Sequence, residues 1–192
     1  AIFAHTIGWR IAFPSNVRDA VGLLRTALRG NDPTVFLEHR NLLDTFSGRG
    51  DYPGDTFVLP FGKANIVKEG TDATIVTWGE MLYRVIDIQQ ELKEYSLEII
   101  DLRTICPWDR EAVLQSVRKT GHCLIVHEDC MTGGFGAEIS AAVTEDAFSF
   151  LDAPVMRIAT PDIPIPYNKS LMDAVIPTKE LIKERLHQLL RF

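Results

Sequence analysis

The sequence has little of what marks secreted, membrane-spanning or nucleic-acid-binding proteins. Its 192 residues include only three cysteines, an odd number without disulfide-like spacing, which favours a reducing compartment. No apolar run approaches the roughly 20 residues needed to cross a bilayer, and the first residues lack the pattern of a signal peptide. The net charge of −6 disfavours a surface that binds nucleic-acid phosphates. The composition therefore predicts a globular protein without membrane or nucleic-acid partners.

The residues that are present can build a proper core. Apolar residues make up 46% of the chain and charged residues 24%, so a chain of this length can fold without disulfides or metals. The opening stretch AIFAHTIGW has neither an initiator methionine nor a polar tail and resembles the middle of a domain. We therefore expect a truncated or proteolysed piece of a longer protein.

The first part of the chain predicts a helix, a turn and a short strand. Apolar residues recur at helical spacing over residues 15–29, and Ser15 is placed to cap the N-terminus. Residues 30–33 end the helix, because glycine and asparagine tolerate left-handed backbone and proline cannot continue it. Residues 34–37 form a short apolar run that predicts a buried strand. The predicted buried face of the helix consists of Val17, Ala20, Val21, Leu24, Ala27 and Leu28.

Two α/β domains are predicted on either side of a linker. Residues 1–47 are interpreted as the tail of one domain, and residues 48–57 lack periodicity and are rich in glycine, which is typical of a linker. In residues 58–192, strand-like runs alternate with helical runs, which predicts a three-layer α/β/α domain with a mostly parallel sheet. The predicted strands of this domain are residues 64–67, 73–78, 97–102, 123–127 and 155–159.

The turn at residues 132–136 follows a predicted strand and opens a predicted helix. Its backbone N–H groups could bind an anion, although the glycine spacing matches neither the dinucleotide fingerprint nor a Walker loop. Glycines that permit a tight turn and close packing of the helix on the sheet explain the same residues, and we favour packing.

Polar side chains near two strand ends are candidates for a site. His127–Asp129 and Glu38–Arg40 each follow an apolar run, at the edge where open α/β sheets place their sites. A general base in the first segment is one interpretation, and a hydrogen-bonded contact between subunits is the other. The second segment could face a cleft or a neighbouring subunit. His122, Cys123, His127 and Cys130 lack the spacing of zinc ligands, so we expect a buried cysteine and ordinary histidines there.

Several segments in order resemble one family, the beta subunits of the thiamine-diphosphate-dependent decarboxylase component of 2-oxo acid dehydrogenase complexes. Residues 13–39 resemble the end of that family's pyrimidine-binding domain, and residues 59–79 resemble the start of its transketolase-type C-terminal domain. Residues 101–109 (DLRTICPWD), 127–138 (HED with GGFGAE) and 151–167 (LDAPVMRIATPDIPIPY) resemble its later motifs. The resemblance covers nearly the whole chain and includes the pyruvate and branched-chain 2-oxoisovalerate types.

The resemblance implies an enzyme in which thiamine diphosphate, held with magnesium, decarboxylates a 2-oxo acid and the acyl group passes to a lipoyl arm. In the family, the activating glutamate and the histidine of a His-Ser-Gln loop precede the position that matches Ala1, and His5 is not that histidine. We therefore assign no catalytic or cofactor-binding residue to this chain and expect it to be inactive alone. The implied location is the bacterial cytoplasm or the mitochondrial matrix.

The resemblance also implies partners. They are an alpha subunit or alpha half, a second beta subunit in a heterotetramer-type assembly, and the subunit-binding domain of a dihydrolipoyl acyltransferase. The positions that match the acyltransferase contacts are Asp152 and Phe192, and a pairing of opposite charges there would steer docking.

A potassium ion is implied at the turn after the helix matching residues 17–29. Hard cations take oxygen ligands, often backbone carbonyls. Many family members have aspartate where this chain has Gly30, so a carbonyl ligand remains there but side-chain support is lost. The matching ligands are Ala27, Leu28, Gly30 and Asp32.

Two other functions stay open from the residues alone. One is an autonomous nucleotide-binding module that uses the glycine turn at residues 132–136, and the other is a scaffold without catalytic activity. Because residues 1–47 hold few strands, we also expect an exposed sheet edge and apolar face there, and self-association of the chain.

Overall fold

The computed structural model describes residues 1–192, which form two sheets with helices packed around them. The strands are β1 (Arg10–Ala12), β2 (Thr34–Phe36), β3 (Asn65–Lys68), β4 (Ala73–Thr77), β5 (Leu97–Asp101), β6 (Thr104–Cys106), β7 (Cys123–Cys130) and β8 (Met156–Thr160). The helices are α1 (Ile2–His5), α2 (Val17–Arg29), α3 (Arg40–Asp44), α4 (Met81–Glu91), α5 (Arg110–Thr120), α6 (Phe135–Ala147), α7 (Lys169–Asp173) and α8 (Lys179–Leu189). No helix combines the length and the apolar character that crossing a membrane requires.

The larger sheet has five strands in the order β3-β5-β4-β7-β8. Strands β5, β4, β7 and β8 are parallel to their neighbours, and only β3 runs antiparallel, against β5. Alternate residues of β7 enter opposite cores: Leu124 and Val126 pack with α4 and α8, whereas Cys123 and Ile125 pack with α5 and α6. This period-two pattern explains why the sheet is buried on both faces. The predicted three-layer fold with a mostly parallel sheet is confirmed.

The smaller sheet joins the first part of the chain to the second. Its order is β2-β1-β6, with β1 parallel to β2 and antiparallel to β6. Because β6 belongs to the DLRTICPWD segment, backbone hydrogen bonds connect residues 10–12 to residues 104–106. The sequence does not predict β1 or β6, since three residues are too few to show a strand period. The domain boundaries at residues 47 and 58 stay a prediction.

The N-terminal cap of α2 differs from the prediction. Asn16 caps the helix, because its Oδ1 accepts the N–H of Asp19 at 2.9 Å. Ser15, the predicted cap, is fully buried, and its Oγ accepts the N–H of Gly79 at 2.9 Å. The predicted cap residue therefore holds the start of α2 against the loop that follows β4.

The buried face of α2 also differs from the prediction. The helix buries Asp19, Gly22 and Leu23. A Cβ on Gly22 would lie 2.8 Å from side-chain atoms of Leu59 and Phe57, so this segment packs directly against the helix backbone. The exposed members of the predicted apolar face are Val17, Leu24 and Leu28.

Large apolar side chains are exposed throughout residues 1–47. Ile7 is fully exposed, and Ile2 and Leu28 are each 77% exposed. Phe46, near the end of this part of the chain, is 85% exposed. This exposure agrees with the apolar face expected for this part of the chain.

Candidate functional site

The two segments predicted near strand ends meet in space. His39 lies three residues after β2, and Glu128 lies in the last part of β7. The Nε2 atom of His39 and Oε2 of Glu128 are 2.7 Å apart. The two residues are 89 positions apart in the chain, so only the packing of the two sheets brings them together. Glu38 and Arg40 do not share in this pair.

The environment of His39 favours its charged form. Burial is the largest influence and lowers the pKa of His39, but the hydrogen bond and the charge of Glu128 outweigh it, and the pKa is raised above 6.5. Glu80 also raises this pKa and Arg84 lowers it. The other ring nitrogen, Nδ1, is buried without a hydrogen-bond partner. The carboxylate therefore directs a proton to Nε2, which leaves Nδ1 able to accept or hold a second proton.

A cavity of about 430 Å³ lies beside this pair. Its walls are mostly apolar, and its polar side chains are His39, Glu128 and Asp129. The apolar walls include Phe13 and Trp78. An apolar cavity with a few convergent polar groups is the usual form of a small-molecule site.

His127 does not face this cavity. Its side chain is fully buried and stacks on Trp78, with ring centroids 5.2 Å apart and planes 7° from parallel. Burial is the main cause that lowers the pKa of His127 to about 4, and neither ring nitrogen has a hydrogen-bond partner. A neutral, sealed imidazole cannot exchange protons with a ligand, so the geometry does not support a general base at this residue.

The glycine turn at residues 132–136 is explained by close packing. A Cβ on Gly136 would overlap Nε2 of His127, and a Cβ on Gly134 would lie 2.9 Å from its Cε1. The cavity beside the turn contains Glu138 in the first turn of α6 and no lysine or arginine. Negative charge at a helix N-terminus repels a phosphate. The geometry therefore favours packing over nucleotide binding at this turn.

The cysteine and histidine residues do not form a metal site. No group of three or more histidine, cysteine, aspartate or glutamate side chains is placed to hold a metal ion. Burial raises the pKa of Cys123 to about 12, and the ring of His122 instead bonds the carbonyl of Thr120 at 3.1 Å. Cys123 is therefore buried, whereas Cys130 is partly exposed.

The DLRTICPWD segment joins the two parts of the chain through side chains. Arg103 donates from Nε and Nη2 to the two carboxylate oxygens of Asp19, at 2.7 and 3.0 Å. Thr104 accepts the N–H of Gly62 at 3.0 Å, and Asp109 accepts the N–H of Ala64 at 3.0 Å. The polar residues of this motif therefore hold neighbouring backbone and helix α2 in place.

The predicted potassium ligands lie at the C-terminal end of α2. The N–H of Gly30 donates to the carbonyl of Ala27 at 3.1 Å, and Asp32 forms an ion pair with Arg10. A Cβ on Gly30 would lie 3.5 Å from the carbonyl oxygens of both Ala27 and Thr26 and 3.6 Å from Nη1 of Arg10. The carbonyl of Ala27 therefore already accepts a hydrogen bond, and the Asp32 carboxylate is engaged with a guanidinium.

The two predicted docking residues are exposed. Phe192 is 71% exposed at the end of the chain. Asp152 is exposed in the loop before β8, where its backbone N–H donates to the carbonyl of Gly121 at 2.9 Å. Both side chains are available to a partner.

The five-stranded sheet, with the DLRTICPWD segment beginning at the last residue of β5, indicates the class of domain to which this chain belongs. The family described as "Transketolase, C-terminal domain" matches residues 62–182, and the chain belongs to this family. A solved structure titled "Split gene transketolase, inactive beta4 tetramer" has the same fold, with a TM-score of 0.76. It is 20% identical in sequence, and the match covers 96% of this chain and 58% of that one.

Within this class, the chain is similar to the beta subunits of 2-oxo acid dehydrogenases. It is 36% identical over its whole length to the 2-oxoisovalerate dehydrogenase subunit beta of Bacillus subtilis, covering 59% of that protein. It is 44% identical over 86% of its length to the mitochondrial counterpart of Chaetomium thermophilum, covering 36% of it. It is 37% identical over its whole length to the pyruvate dehydrogenase E1 component subunit beta of Staphylococcus aureus, covering 58%. The family resemblance is confirmed, and the chain spans between about a third and three fifths of these relatives.

Proposed function

We propose that this chain acts in a 2-oxo acid dehydrogenase that decarboxylates a 2-oxo acid with thiamine diphosphate and transfers the acyl group to a lipoyl arm. The observation that carries the proposal is the identity of 36% over the whole chain to a beta subunit. Within that enzyme, residues 1–192 serve assembly of the subunits and docking of the acyltransferase. The exposed apolar side chains of residues 1–47 support a role in assembly.

The residues of this chain do not by themselves fit thiamine diphosphate and magnesium. Diphosphate–magnesium sites need oxygen ligands around the metal and donors for the phosphates. No group of three or more potential metal-binding side chains exists here, and the glycine turn has an acidic first helical turn. We propose that the cofactor is bound in the assembled enzyme, with the alpha subunit and a second beta subunit as partners.

We also propose the turn after α2 as the potassium site, with Ala27, Leu28, Gly30 and Asp32 at the matching ligand positions. The position of the turn at the negative end of the α2 dipole supports it, since carbonyl oxygens there attract a hard cation. The test is thermal unfolding in potassium chloride against choline chloride of equal ionic strength. A higher melting temperature in potassium chloride is expected, and identical melting temperatures would remove the proposal.

Asp152 and Phe192 are proposed as contacts for the subunit-binding domain of a dihydrolipoyl acyltransferase. Their exposure supports this role, and the net charge of −6 suits a basic partner. Binding of that isolated domain to the assembled enzyme is expected to weaken in Asp152→Asn. Exchange of the exposed Asp51 for asparagine gives a variant of equal charge change, which is expected to bind like the wild type.

Reconstitution tests the main proposal. Decarboxylation of pyruvate and of 2-oxoisovalerate, and transfer of the acetyl or branched acyl group to a lipoyl domain, would be measured with the alpha partner, thiamine diphosphate and magnesium. The chain would be used both as it stands and joined to the family segment that carries the activating glutamate and the His-Ser-Gln loop, and this segment counts among the components. Activity is expected only when all of these components are combined, and calorimetry of the chain alone with the cofactor is expected to show no heat of binding. Saturable micromolar binding by the chain alone would contradict the placement of the cofactor in the assembly. An inactive complete assembly would favour the non-catalytic scaffold.

A further inference from the structure

A fully buried carboxyl group lies where the start of α2 meets the loops that follow β4 and β5. Asp101 is the last residue of β5, and its Oδ1 accepts the N–H of Arg103 at 3.2 Å. Its other oxygen, Oδ2, is buried and has no hydrogen-bond partner. The hydroxyl of Ser15, which also receives the N–H of Gly79, lies beside this carboxyl group.

The carboxyl groups around Asp101 outnumber the cations that could pair with them. Asp19 on α2 faces it and is also buried, and the nearby guanidinium of Arg103 donates two hydrogen bonds to Asp19. Tyr83 on α4 faces both carboxylates, and its hydroxyl donates to the carbonyl of Ser15 at 2.8 Å. Two buried carboxyl groups therefore share one guanidinium, and the hydrogen bonds of that guanidinium go to Asp19.

This imbalance has a chemical consequence. Burial raises the pKa of Asp101 to about 7, and the charge of Asp19 adds to the increase, while Ser15 and Arg103 oppose it. Burial likewise raises the pKa of Tyr83 to about 12, so the phenol stays neutral. A protonated Asp101 leaves one carboxylate and one guanidinium in the cluster, which is neutral.

We propose that the contact between the start of α2 and the loops that follow β4 and β5 is a pH-sensitive clamp, closed when Asp101 carries a proton and loosened when it is ionised. The Oδ2 atom of Asp101, which has no hydrogen-bond partner, is the atom that holds the proton. Because Arg103 already pairs with Asp19, no cation is left to balance a negative charge on Asp101. The element that the clamp holds is α2, which carries the exposed apolar residues on its other face and the carbonyl turn at its end. Loss of the proton therefore weakens the packing of α2, the helix that presents these exposed apolar residues. This inference does not depend on the proposed enzymatic function.

The direction of the pH effect follows from proton counting. Between the ordinary aspartate pKa of about 3.9 and about 7, the folded chain holds one proton more than the unfolded chain, so stability falls as the pH rises. Above about pH 7 both states are ionised and the effect is constant. Asp101→Asn mimics the protonated carboxyl group at every pH.

Thermal or urea unfolding of the intact protein from pH 5 to 8.5 tests the clamp. The unfolding equilibrium constant of the wild type, relative to Asp101→Asn, is expected to rise by up to about tenfold per pH unit between pH 5 and 7 and then to level off. At pH 8 the asparagine variant is expected to be the more stable protein. Asp51→Asn, which changes one exposed aspartate, controls for the loss of a formal charge. A constant ratio between wild type and Asp101→Asn across this range would overturn the proposal.

Hydrogen exchange of the wild type gives a second measurement that needs no variant. The amides of Arg103 and Gly79 donate into the cluster, to Asp101 and Ser15 respectively. Their protection, corrected for intrinsic exchange, is expected to fall between pH 6 and 8, while amides in the centre of β4 and β7 keep theirs. Equal changes at all of these amides would contradict a local clamp.

Discussion

At the scale of single residues, one arginine adopts an unfavourable backbone conformation while its side chain contacts Asp19. Arg103 has φ of 61°, the only positive value outside glycine, and such a conformation costs roughly 1–2 kcal/mol. The same turn aims its guanidinium at both oxygens of Asp19, which is 1% exposed. The paired geometry stabilises a buried charge that would otherwise be strongly unfavourable.

Removing this guanidinium is expected to destabilise the fold strongly. Arg103→Ala leaves the Asp19 carboxylate buried and unpaired, and the expected loss in the free energy of unfolding is about 3–5 kcal/mol. The measurement is urea denaturation at pH 7. Arg118, which faces Glu111 at 3.7 Å on the surface, is the matched control, and Arg118→Ala is expected to cost at most about 1 kcal/mol. Equal losses in the two variants would show that the Arg103 pair contributes no more than a surface pair.

The His39–Glu128 pair is expected to make stability depend on pH in a defined direction. Since the pKa of His39 is raised in the folded state, the pair stabilises the chain fully below about pH 6.5 and loses this contribution as the pH rises through the raised value. The difference in melting temperature between wild type and Glu128→Gln should therefore be largest near pH 5.5 and shrink towards alkaline pH. Glu138→Gln, at an exposed position on α6, is the control. A difference that grows with pH would contradict this assignment.

The sequence predicts the two halves of this pair but not their contact. Apolar runs that end in Glu38–Arg40 and His127–Asp129 place both segments at strand ends, which is a local property. Their meeting depends on how the two sheets pack across 89 positions, and the β7 strand continues to Cys130 rather than ending before Glu128. Likewise, no local signal shows that Asp19 is buried, because its partner Arg103 is 84 positions away.

At the scale of elements, α2 shows what periodicity can and cannot predict. Helical spacing identifies residues 17–29 correctly, since the period depends only on the local backbone. The spacing does not say which surface each face meets. Here Leu59 and Phe57 pack against the helix backbone at Gly22. The apolar face with Leu24 and Leu28 stays exposed. The longer strands and helices of residues 73–147 are predicted better, because continuous apolar runs and helical periods are visible over five residues or more.

The packing of α6 on β7 predicts a coupled effect of two substitutions. Gly136→Ala would place a methyl group against His127 and its Trp78 stack, and the expected loss of stability is about 1–3 kcal/mol. His127→Ala removes the obstacle, so the alanine at position 136 should cost less in that background. Urea denaturation of the wild type, the two single variants and the double variant measures this coupling. Strict additivity would mean that His127 is not the reason for glycine at this position.

At the scale of the whole molecule, the alternation of strands and helices determines the architecture. Four parallel strands with connecting helices must cover both faces of the sheet, so the three-layer fold follows from the sequence pattern. The smaller sheet does not follow from it, because β1, β2 and β6 have three residues each and their pairing joins distant parts of the chain. The sequence therefore predicts the larger sheet, but it does not predict how residues 1–47 are joined to the rest of the chain.

The exposed apolar face on residues 1–47 predicts that the 192-residue chain self-associates in the absence of partners. Leu24 and Leu28 on α2 are 43% and 77% exposed, and large exposed apolar patches on a single chain mark contact surfaces. Sedimentation velocity should show species larger than the monomer that increase with concentration, and the double variant Leu24→Gln, Leu28→Gln should shift them towards the monomer. Phe148→Gln, Leu171→Gln changes two exposed residues of the second part and should leave association unchanged. A monodisperse wild-type monomer that binds no dye for exposed apolar surface would contradict the prediction, because the face would then need no partner to cover it.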